Sequence, residues 1–277
     1  MINLSQRQLP SSASQVLTVC RYELLKFLRG KKIIAIIGIS FAIPLLIIVT
    51  PELFGVEQPD TARDFFSIPL GFISILLVIT GAFFGTSALN SEFQEKTGYI
   101  LFPNPVTRTS IWFGKFIASA IIGSIVIAIY YSVVTLATLI KYQNVPQEIV
   151  QSALFAFVFV IMIMSISFLI SSVLRGSTGA AVLIFFLFIL ILPILDGFLV
   201  NLAEIKPVYS PSFSAKIIQI VLVVPYPSDL ELGDVPRGPF DQFRFVAYID
   251  DSLSVLISYS IIASIASILL FKRKEMT

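Results

Sequence analysis

The sequence contains no histidine and a single cysteine, Cys20. One cysteine cannot form a disulfide within the chain, and without histidine or further cysteines a His/Cys metal site is not expected. Acid–base catalysis by histidine is excluded as well. We interpret Cys20 as a small apolar residue on a helix face, which is the usual role of a free cysteine.

Charged residues are also scarce. They make up 13% of the 277 residues, against about 25% in a typical soluble domain. Hydrophobic residues account for 56%, including 25 phenylalanines, and the mean hydropathy is +0.92. One water-soluble core cannot bury so much apolar surface, whereas apolar runs near twenty residues suit the roughly 30 Å hydrocarbon layer of a bilayer. The composition therefore indicates an integral membrane protein.

The chain lacks a phosphate-binding loop of the form GxxxxGK[ST]. Its two Gly-Lys pairs, Gly30-Lys31 and Gly114-Lys115, have neither the upstream glycine nor the following Ser or Thr. The apolar segments also offer almost no ionisable group for an ion relay. Asp196 is the only candidate, and we interpret it as the start of the external boundary. We therefore expect no enzyme activity and no bound cofactor in this chain, and no nucleic-acid partner.

Six apolar segments are predicted to cross the membrane as helices, which gives an all-α fold. Their approximate bounds are Ile33–Thr50, Phe65–Leu89, Phe116–Ile140, Gln151–Leu174, Ala180–Val200 and Ser252–Phe271. Small residues four apart, such as Gly81 and Gly85, predict close contacts between helices. Pro44 and Pro193 are expected to kink the first and fifth spans, because proline cannot donate the helical hydrogen bond.

Basic residues determine the predicted orientation. If both termini lie on one side, that side holds 13 of the 19 basic residues. They are Arg7, Arg21, Lys26, Arg29, Lys31, Lys32, Lys96, Arg108, Lys115, Arg175, Lys272, Arg273 and Lys274. Because loops rich in Lys and Arg stay inside, we predict a multi-pass cell-membrane protein with both termini cytoplasmic. The predicted layout is a cytoplasmic N-terminus at 1–32, a six-span domain at 33–271 and a cytoplasmic tail at 272–277.

The segment before the first span, Ala13–Arg29, is predicted to be an amphipathic elbow helix on the inner membrane surface. Its apolar face is expected to hold Val16, Leu17, Cys20, Leu24, Phe27 and Leu28. Its basic residues lie elsewhere on the helix. The pattern fits both an ordinary juxtamembrane helix and a helix that also transmits force.

The outer side is predicted to be uneven, because one connection, at 201–251, is much longer than the other two. Within it, Ile217–Val224 reads IIQIVLVV, which is apolar but too short to cross a bilayer. Two interpretations remain open. The segment is either re-entrant or interfacial, as the flanking aromatic residues favour, or a strand in a small external subdomain.

The largest predicted cytoplasmic loop, at 90–115, contains the polar stretch SEFQEKTGYILFPNPVTRTSIWFGK. Ser91 and Gln94 form a potential capping box, which predicts a short helix from Ser91 to Thr97 that ends at Gly98. Thr107 or Thr109 can cap the third span, and Trp112 is expected at interface depth. Such a loop suits either a lever for a soluble partner or a plain connector.

Several residues of this loop occur in an order that can be compared with known loops. Glu92, Glu95-Lys96-Thr97-Gly98, Leu101, Pro105-Val106-Thr107-Arg108 and Gly114-Lys115 occur in succession. This series resembles the loop of type-two ABC exporter permeases, especially those associated with copper-enzyme maturation or sodium export. Two departures occur: Thr97-Gly98 stands where the family has Gly-Thr, and Thr107 replaces a serine. The six-span layout, the elbow and the long outer connection resemble the same family over nearly the whole chain.

The resemblance implies that the chain is the permease subunit of an ATP-driven exporter. The loop would carry a coupling helix that docks on a separate P-loop ATPase subunit, which would bind ATP and Mg. Two six-span units, as a homodimer or a pair of paralogues, would form the pathway. By the same resemblance the ATPase would contact Glu92, Glu95, Lys96, Thr97 and Gly98, whereas Arg108 and Lys115 would anchor the return to the membrane.

Two other functions compete with the exporter interpretation. A membrane scaffold subunit would also have spans with few polar groups, and its loop would bind a structural partner. An intramembrane hydrolase needs a nucleophile with a base, and the spans contain neither histidine nor lysine at mid-depth. Among cargoes, apolar spans dotted with hydroxyl groups favour a lipid-like or amphipathic substrate over a bare ion.

Overall fold

The structure is a computed structural model, and it describes residues 11–94, 107–174, 176–203, 205–227, 229 and 245–273. All regular secondary structure within these ranges is helical. The predicted fold class, an all-α membrane protein, is therefore confirmed.

Six helices are long and apolar enough to cross a membrane, and they contain the six predicted segments to within one residue. Spans 1 to 6 are Lys31–Leu53, Ala62–Asn90, Arg108–Tyr142, Ile149–Val173, Ser177–Asn201 and Ile249–Arg273. Span 3 has 35 residues, so at 1.5 Å per residue it is about 50 Å long and extends beyond a hydrocarbon layer. Thr107 caps its start by accepting a hydrogen bond from Ser110 N, as the sequence allowed.

The elbow helix, Ser12–Arg29, precedes span 1 and is joined to it at Gly30. We call the end of the bundle where it lies the elbow side, and the opposite end the far side. The apolar residues of this helix are not all buried. Cys20 and Phe27 are buried against the bundle, whereas Leu17 and Leu28 are exposed. The helix thus divides its apolar residues between the protein and the surroundings.

Small residues bring span 2 and span 4 together, as predicted. A Cβ atom added at Gly81 would lie 2.2 Å from Ile163 Cγ2, and one added at Gly85 would lie 2.6 Å from Ser167 Cβ. Neither distance is sterically possible, so both positions require glycine for this packing. The core of the bundle is formed mainly where spans 2, 3 and 4 meet.

Two spans contain π-helical turns. In span 2 the order is Ala62–Leu70, Ile73–Thr80, the π segment Gly81–Gly85 and Thr86–Gln94. In span 5 it is Ser177–Phe185, the π segment Phe186–Ile191 and Leu192–Asn201. Pro193 follows the second π segment and cannot donate to Ile189, so the predicted disturbance takes the form of a widened turn. Span 1 remains one α-helix through Pro44.

Two short helices on the far side, Pro211–Ser214 and Ile217–Ile220, form what we call the far-side helical pair. Ile217 and Ile218 are buried, and Ser152 of span 4 donates a hydrogen bond to Ile218 O at 2.5 Å. Gln219 Nε2 donates to Ser67 O of span 2 at 3.1 Å. Of the two open interpretations, the strand is wrong, and the segment is a short helix that packs into the bundle.

Candidate functional site: the junction of the elbow helix with spans 2 and 3

The predicted ATPase-contacting residues lie at or beyond the end of span 2. Glu95, Lys96, Thr97 and Gly98 are outside the described residues, and Glu92 lies in the last helical segment before the loop, Thr86–Gln94. The expected helix start at Ser91 is wrong, because Ser91 is inside this continuous helix. The coupling role of these residues stays a prediction.

Lys115 is buried at the centre of the junction, with 1% of its side chain exposed. Its Nζ atom lies 2.8 Å from Glu23 Oε2 of the elbow helix and donates a hydrogen bond to Ala88 O of span 2 at 2.7 Å. Lys115 itself belongs to the second turn of span 3. One ammonium group therefore connects three helices.

A buried ion pair of this kind constrains geometry more than it adds stability. Removing both charges from water is costly, and their attraction offsets that cost only in good geometry. Breaking the pair by removing one partner costs about 3–5 kcal/mol, because the remaining charge stays buried. Glu23 Oε1 is buried and has no hydrogen-bond partner among the described residues. The Glu23 carboxylate therefore depends on Lys115 for compensation.

Gly114 allows the elbow helix to approach span 3. A Cβ atom added at Gly114 would lie 2.6 Å from Val19 Cβ and 2.8 Å from the backbone atom Val16 O. Because one of the obstacles is backbone, a rotamer change cannot relieve the overlap. The Gly-Lys pair thus has two separate tasks: Gly114 permits the crossing, and Lys115 pairs with Glu23 across it.

Sequence reasoning did not identify Glu23 as the partner of Lys115. A signal was nevertheless present, because Cys20, Glu23 and Phe27 are spaced three and four residues apart and so share one helical face. A carboxylate between two buried apolar residues requires a compensating group. The identity of that group, 92 residues away along the chain, could not be read from the pattern.

Further contacts join the start of span 3 to its neighbours. Gln15 of the elbow helix accepts a hydrogen bond from Thr107 N at 3.2 Å. Arg108 Nη1 donates to Lys272 O at the end of span 6, at 2.7 Å. The start of span 3 is therefore held by the elbow helix on one side and by span 6 on another.

Trp112 completes this part of the bundle. Its expected position at interface depth stays a prediction; within the bundle it is buried, with 1% of the residue exposed, and enclosed by other spans. Its indole N–H donates to Ser267 Oγ of span 6 at 3.0 Å. Its ring stacks on Phe116 at a centroid distance of 4.9 Å and meets Phe168 of span 4 edge-on. Burial with a satisfied N–H makes Trp112 a packing residue.

The groups at the junction serve packing and pairing between helices. Burial raises the pKa of the Cys20 thiol, which disfavours the reactive thiolate. Within the described ranges, no three His, Cys, Asp or Glu side chains are grouped so that they could hold a metal ion. The elbow helix, span 2 and span 3 meet at Lys115, so the junction holds three helices together.

A second polar cluster lies on the far side. Asp196 of span 5 is buried and accepts a hydrogen bond from Ser212 of the far-side helical pair. Burial lowers the pKa of Lys216 to about 8, and the Asp196 charge opposes that shift. Asp196 therefore ties span 5 to the far-side helical pair, and its interpretation as the start of the external boundary stays a prediction.

Comparison with known proteins gives one result. A search of curated proteins finds no match. A family model described as "ABC-2 family transporter protein" matches residues 12–276. This range covers the elbow helix, all six spans and the junction around Lys115, which is nearly the whole chain. The chain therefore belongs to the ABC-2 family of transporter proteins.

Proposed function

We propose that this ABC transporter permease is the membrane subunit of an ATP-driven exporter, and that it docks a separate ATPase subunit through the loop between spans 2 and 3. Its family makes it a permease. The export direction, the docking residues and the cargo are the finer parts of the proposal. ATP and Mg would be bound by the ATPase subunit.

The observation that carries the proposal is the buried Lys115–Glu23 pair beside Gly114. The loop leaves span 2 shortly after Ala88 and returns to span 3 at Thr107. The two ends of the loop are therefore linked, since Lys115 of span 3 contacts Ala88 of span 2. Glu23 joins the elbow helix to the same ammonium group. A push on the loop would displace spans 2 and 3 and the elbow helix together rather than bend one of them. That stiffness is what a coupling element needs and a plain connector does not.

The charge distribution supports an orientation with the elbow side in the cytoplasm. Arg21, Lys26, Arg29, Lys31 and Lys32 are all exposed at this end of the bundle. Retention of such residues on the inner side follows the positive-inside rule. The ATPase would then meet the loop from the cytoplasm, and the far-side helical pair would face outward.

The exposed surface of the bundle supports pairing with a second permease chain. Most side chains of spans 1, 5 and 6 are not buried within one chain. Some of this surface would face lipid, and some would face the second six-span unit. The apolar character of these spans favours a lipid-like or amphipathic cargo.

The first experiment is affinity purification of the tagged chain from its native membranes in mild detergent. We expect a protein with a complete P-loop motif to co-purify and the mixture to hydrolyse ATP. The chain alone should not hydrolyse ATP. If only proteins without nucleotide-binding motifs co-purify, the chain is a scaffold subunit and the exporter proposal fails.

The second experiment reverses charge in the loop by Glu92→Lys with Glu95→Lys. The proposal assigns these charges to the surface that meets the ATPase, where a charge contributes about 0–1 kcal/mol to stability, so the variant should insert and remain monodisperse. Docking on a complementary surface should weaken, because like charges across an interface cost several kcal/mol. Retention of the ATPase on the tagged variant measures this directly.

The matched control is Glu57→Lys with Asp60→Lys on the far side. Both residues are exposed there. Glu52 is less suitable as a control, because it lies 2.7 Å from Lys141 and its reversal would break an ion pair. The control should retain the ATPase fully. Equal retention by both double variants would make the loop a connector.

A further inference from the structure

Spans 2 and 5 enclose a crevice on the elbow side, next to the start of span 1. Its volume is about 330 Å³, which falls within the range of small-ligand sites. The described residues that line it are Lys32, Ile79, Ala82, Phe83, Thr86, Ser177, Thr178, Ala181, Val182, Phe185 and Phe186. None of the contacts at the Lys115 junction involves these residues, so the crevice is a separate feature.

The crevice has one polar end and one apolar end. Lys32 stands in the first turn of span 1, and Ser177 and Thr178 begin span 5. The N-terminus of a helix carries a partial positive charge, so span 5 adds to the charge of Lys32. Among the described lining residues Lys32 is the only charged one. This end therefore attracts an anion, and no lining carboxylate opposes it.

The other end is lined by hydrocarbon and aromatic side chains. Phe83, Val182 and Phe186 line it and remain nearly half exposed. These walls would not stabilise a small hydrated anion, because apolar surface leaves water favourably only against another apolar group. The combination fits a molecule with an anionic head and a hydrocarbon chain.

Both π-helical segments of the described chain border this crevice. Gly81–Gly85 contributes Ala82 and Phe83, and Phe186–Ile191 contributes Phe186. A π turn costs regular hydrogen-bond geometry and is found frequently at functional sites. Gly81 and Gly85 also pack tightly on span 4. The π turn of span 2 is therefore held against span 4 on one side, while Phe83 lines the crevice on the other.

We propose that this crevice binds an anionic glycerophospholipid from the leaflet on the elbow side. The phosphate lies between Lys32 and the start of span 5, and one acyl chain enters between Phe83 and Phe186. Basic pockets between membrane helices bind anionic lipid head groups in this way. Binding of the lipid needs neither an ATPase nor transport, so this inference and the proposed function stand or fall separately.

The test measures lipid binding to the purified full-length chain by native mass spectrometry, with dioleoyl phosphatidylglycerol and dioleoyl phosphatidylcholine as the two probes. The wild type should prefer phosphatidylglycerol. Lys32→Gln should weaken phosphatidylglycerol binding about fivefold, the contribution of one basic residue near a membrane surface, and weaken phosphatidylcholine binding less, because the choline cation offsets the charge of the phosphate. Lys31→Gln is the matched control, because Lys31 is the adjacent exposed cation and does not line the crevice. Equal behaviour of the two variants would overturn the proposal.

A second variant tests the chain-binding end. Ala181 lines the crevice and is only partly buried, so Ala181→Phe should fill the space without disturbing the core. It should lower binding of both lipids and leave the melting temperature near that of the wild type. Unchanged lipid binding with an unchanged melting temperature would place the acyl chain elsewhere and refute the site.

Two further measurements separate other occupants. Millimolar inorganic phosphate should not compete with phosphatidylglycerol; competition would mean that the site binds a free anion. Val182→Cys in a Cys20→Ala background should give no disulfide-linked dimer in native membranes, since a lipid occupies the crevice. Efficient cross-linking would assign the crevice to a second copy of the chain and overturn the lipid proposal.

Discussion

The two ends of the bundle are held together by different kinds of interaction. On the elbow side, a fully buried ammonium–carboxylate pair, Lys115–Glu23, connects three helices. On the far side, neutral hydroxyl and amide groups bind backbone carbonyls: Ser152 to Ile218 O, Gln219 to Ser67 O and Tyr130 to Pro69 O. The ion pairs described there, Lys141–Glu52, Arg63–Glu148 and Lys206–Asp229, are all partly solvated.

This contrast indicates different mechanical roles. A buried charge pair has a large penalty for separation, so helices joined by it move as one body. Neutral hydrogen bonds to carbonyls contribute about 0.5–1.5 kcal/mol each and can open singly. We expect the elbow side to transmit force as a block and the far side to open in local steps.

The largest effect should come from Lys115→Met, which leaves Glu23 buried without its partner. We expect a loss of about 3–5 kcal/mol in the free energy of unfolding, seen as a lower melting temperature in detergent. The paired substitution Lys115→Met with Glu23→Leu should recover much of that loss, since no charge remains. Lys141→Met removes the exposed pair with Glu52 and should cost at most about 1 kcal/mol. Equal losses for Lys115→Met and Lys141→Met would contradict the distinction between the two ends.

Gly114→Ala should have the next largest effect. The added methyl group meets Val19 Cβ and Val16 O, and overpacking of this kind costs about 1–3 kcal/mol. The elbow helix should detach, which faster hydrogen exchange of residues 12–29 would reveal. Gly179→Ala is the control, because nothing lies within 4 Å of its added Cβ. If Gly114→Ala left exchange in the elbow helix unaltered, the close crossing would be incorrect.

Ser152→Ala should weaken the far side alone. Ser152 Oγ bonds both Ile218 O and the Tyr131 hydroxyl, the latter at 2.6 Å. Leaving these buried groups without a partner costs about 1–3 kcal/mol. Exchange should accelerate at 217–222 and remain slow at 12–29. Ser132→Ala is the control, since Ser132 bonds only a carbonyl of its own helix, Ala128 O. Faster exchange at both ends would mean that the bundle opens as a single unit.

The last expected effect is a pH dependence from Lys216. Burial lowers its pKa in the folded state to about 8, below the ordinary value of 10.5. Between these values the unfolded chain binds more protons, so stability rises with pH; below pH 8 the cost of the buried charge is present in full. Between pH 8 and 10.5 the melting temperature of the wild type should rise relative to Lys216→Met. A constant difference across that window would show that Lys216 is not buried as a charge.

Local patterns were sufficient for the spans and for one helix boundary. The apolar runs determine the helix positions because a bilayer demands about twenty apolar residues and internal hydrogen bonds. Thr107 caps span 3 because its hydroxyl reaches a free N–H three residues on. The prediction that a helix starts at Ser91 failed because Ser91 lies inside a helix. The backbone N–H groups there are already hydrogen-bonded, so the Ser91–Gln94 spacing has nothing to cap.

The sequence by itself determined the class of the protein, the six spans and the glycines of span 2 that pack on span 4, because these depend on composition and on spacing along one helix. Tertiary structure alone decided that Glu23 pairs with Lys115, that the elbow helix buries Cys20 and exposes Leu17, and that Asp196 meets Ser212. Each of these depends on where two helices cross. Residues 92 positions apart, such as Glu23 and Lys115, carry no local periodicity that relates them.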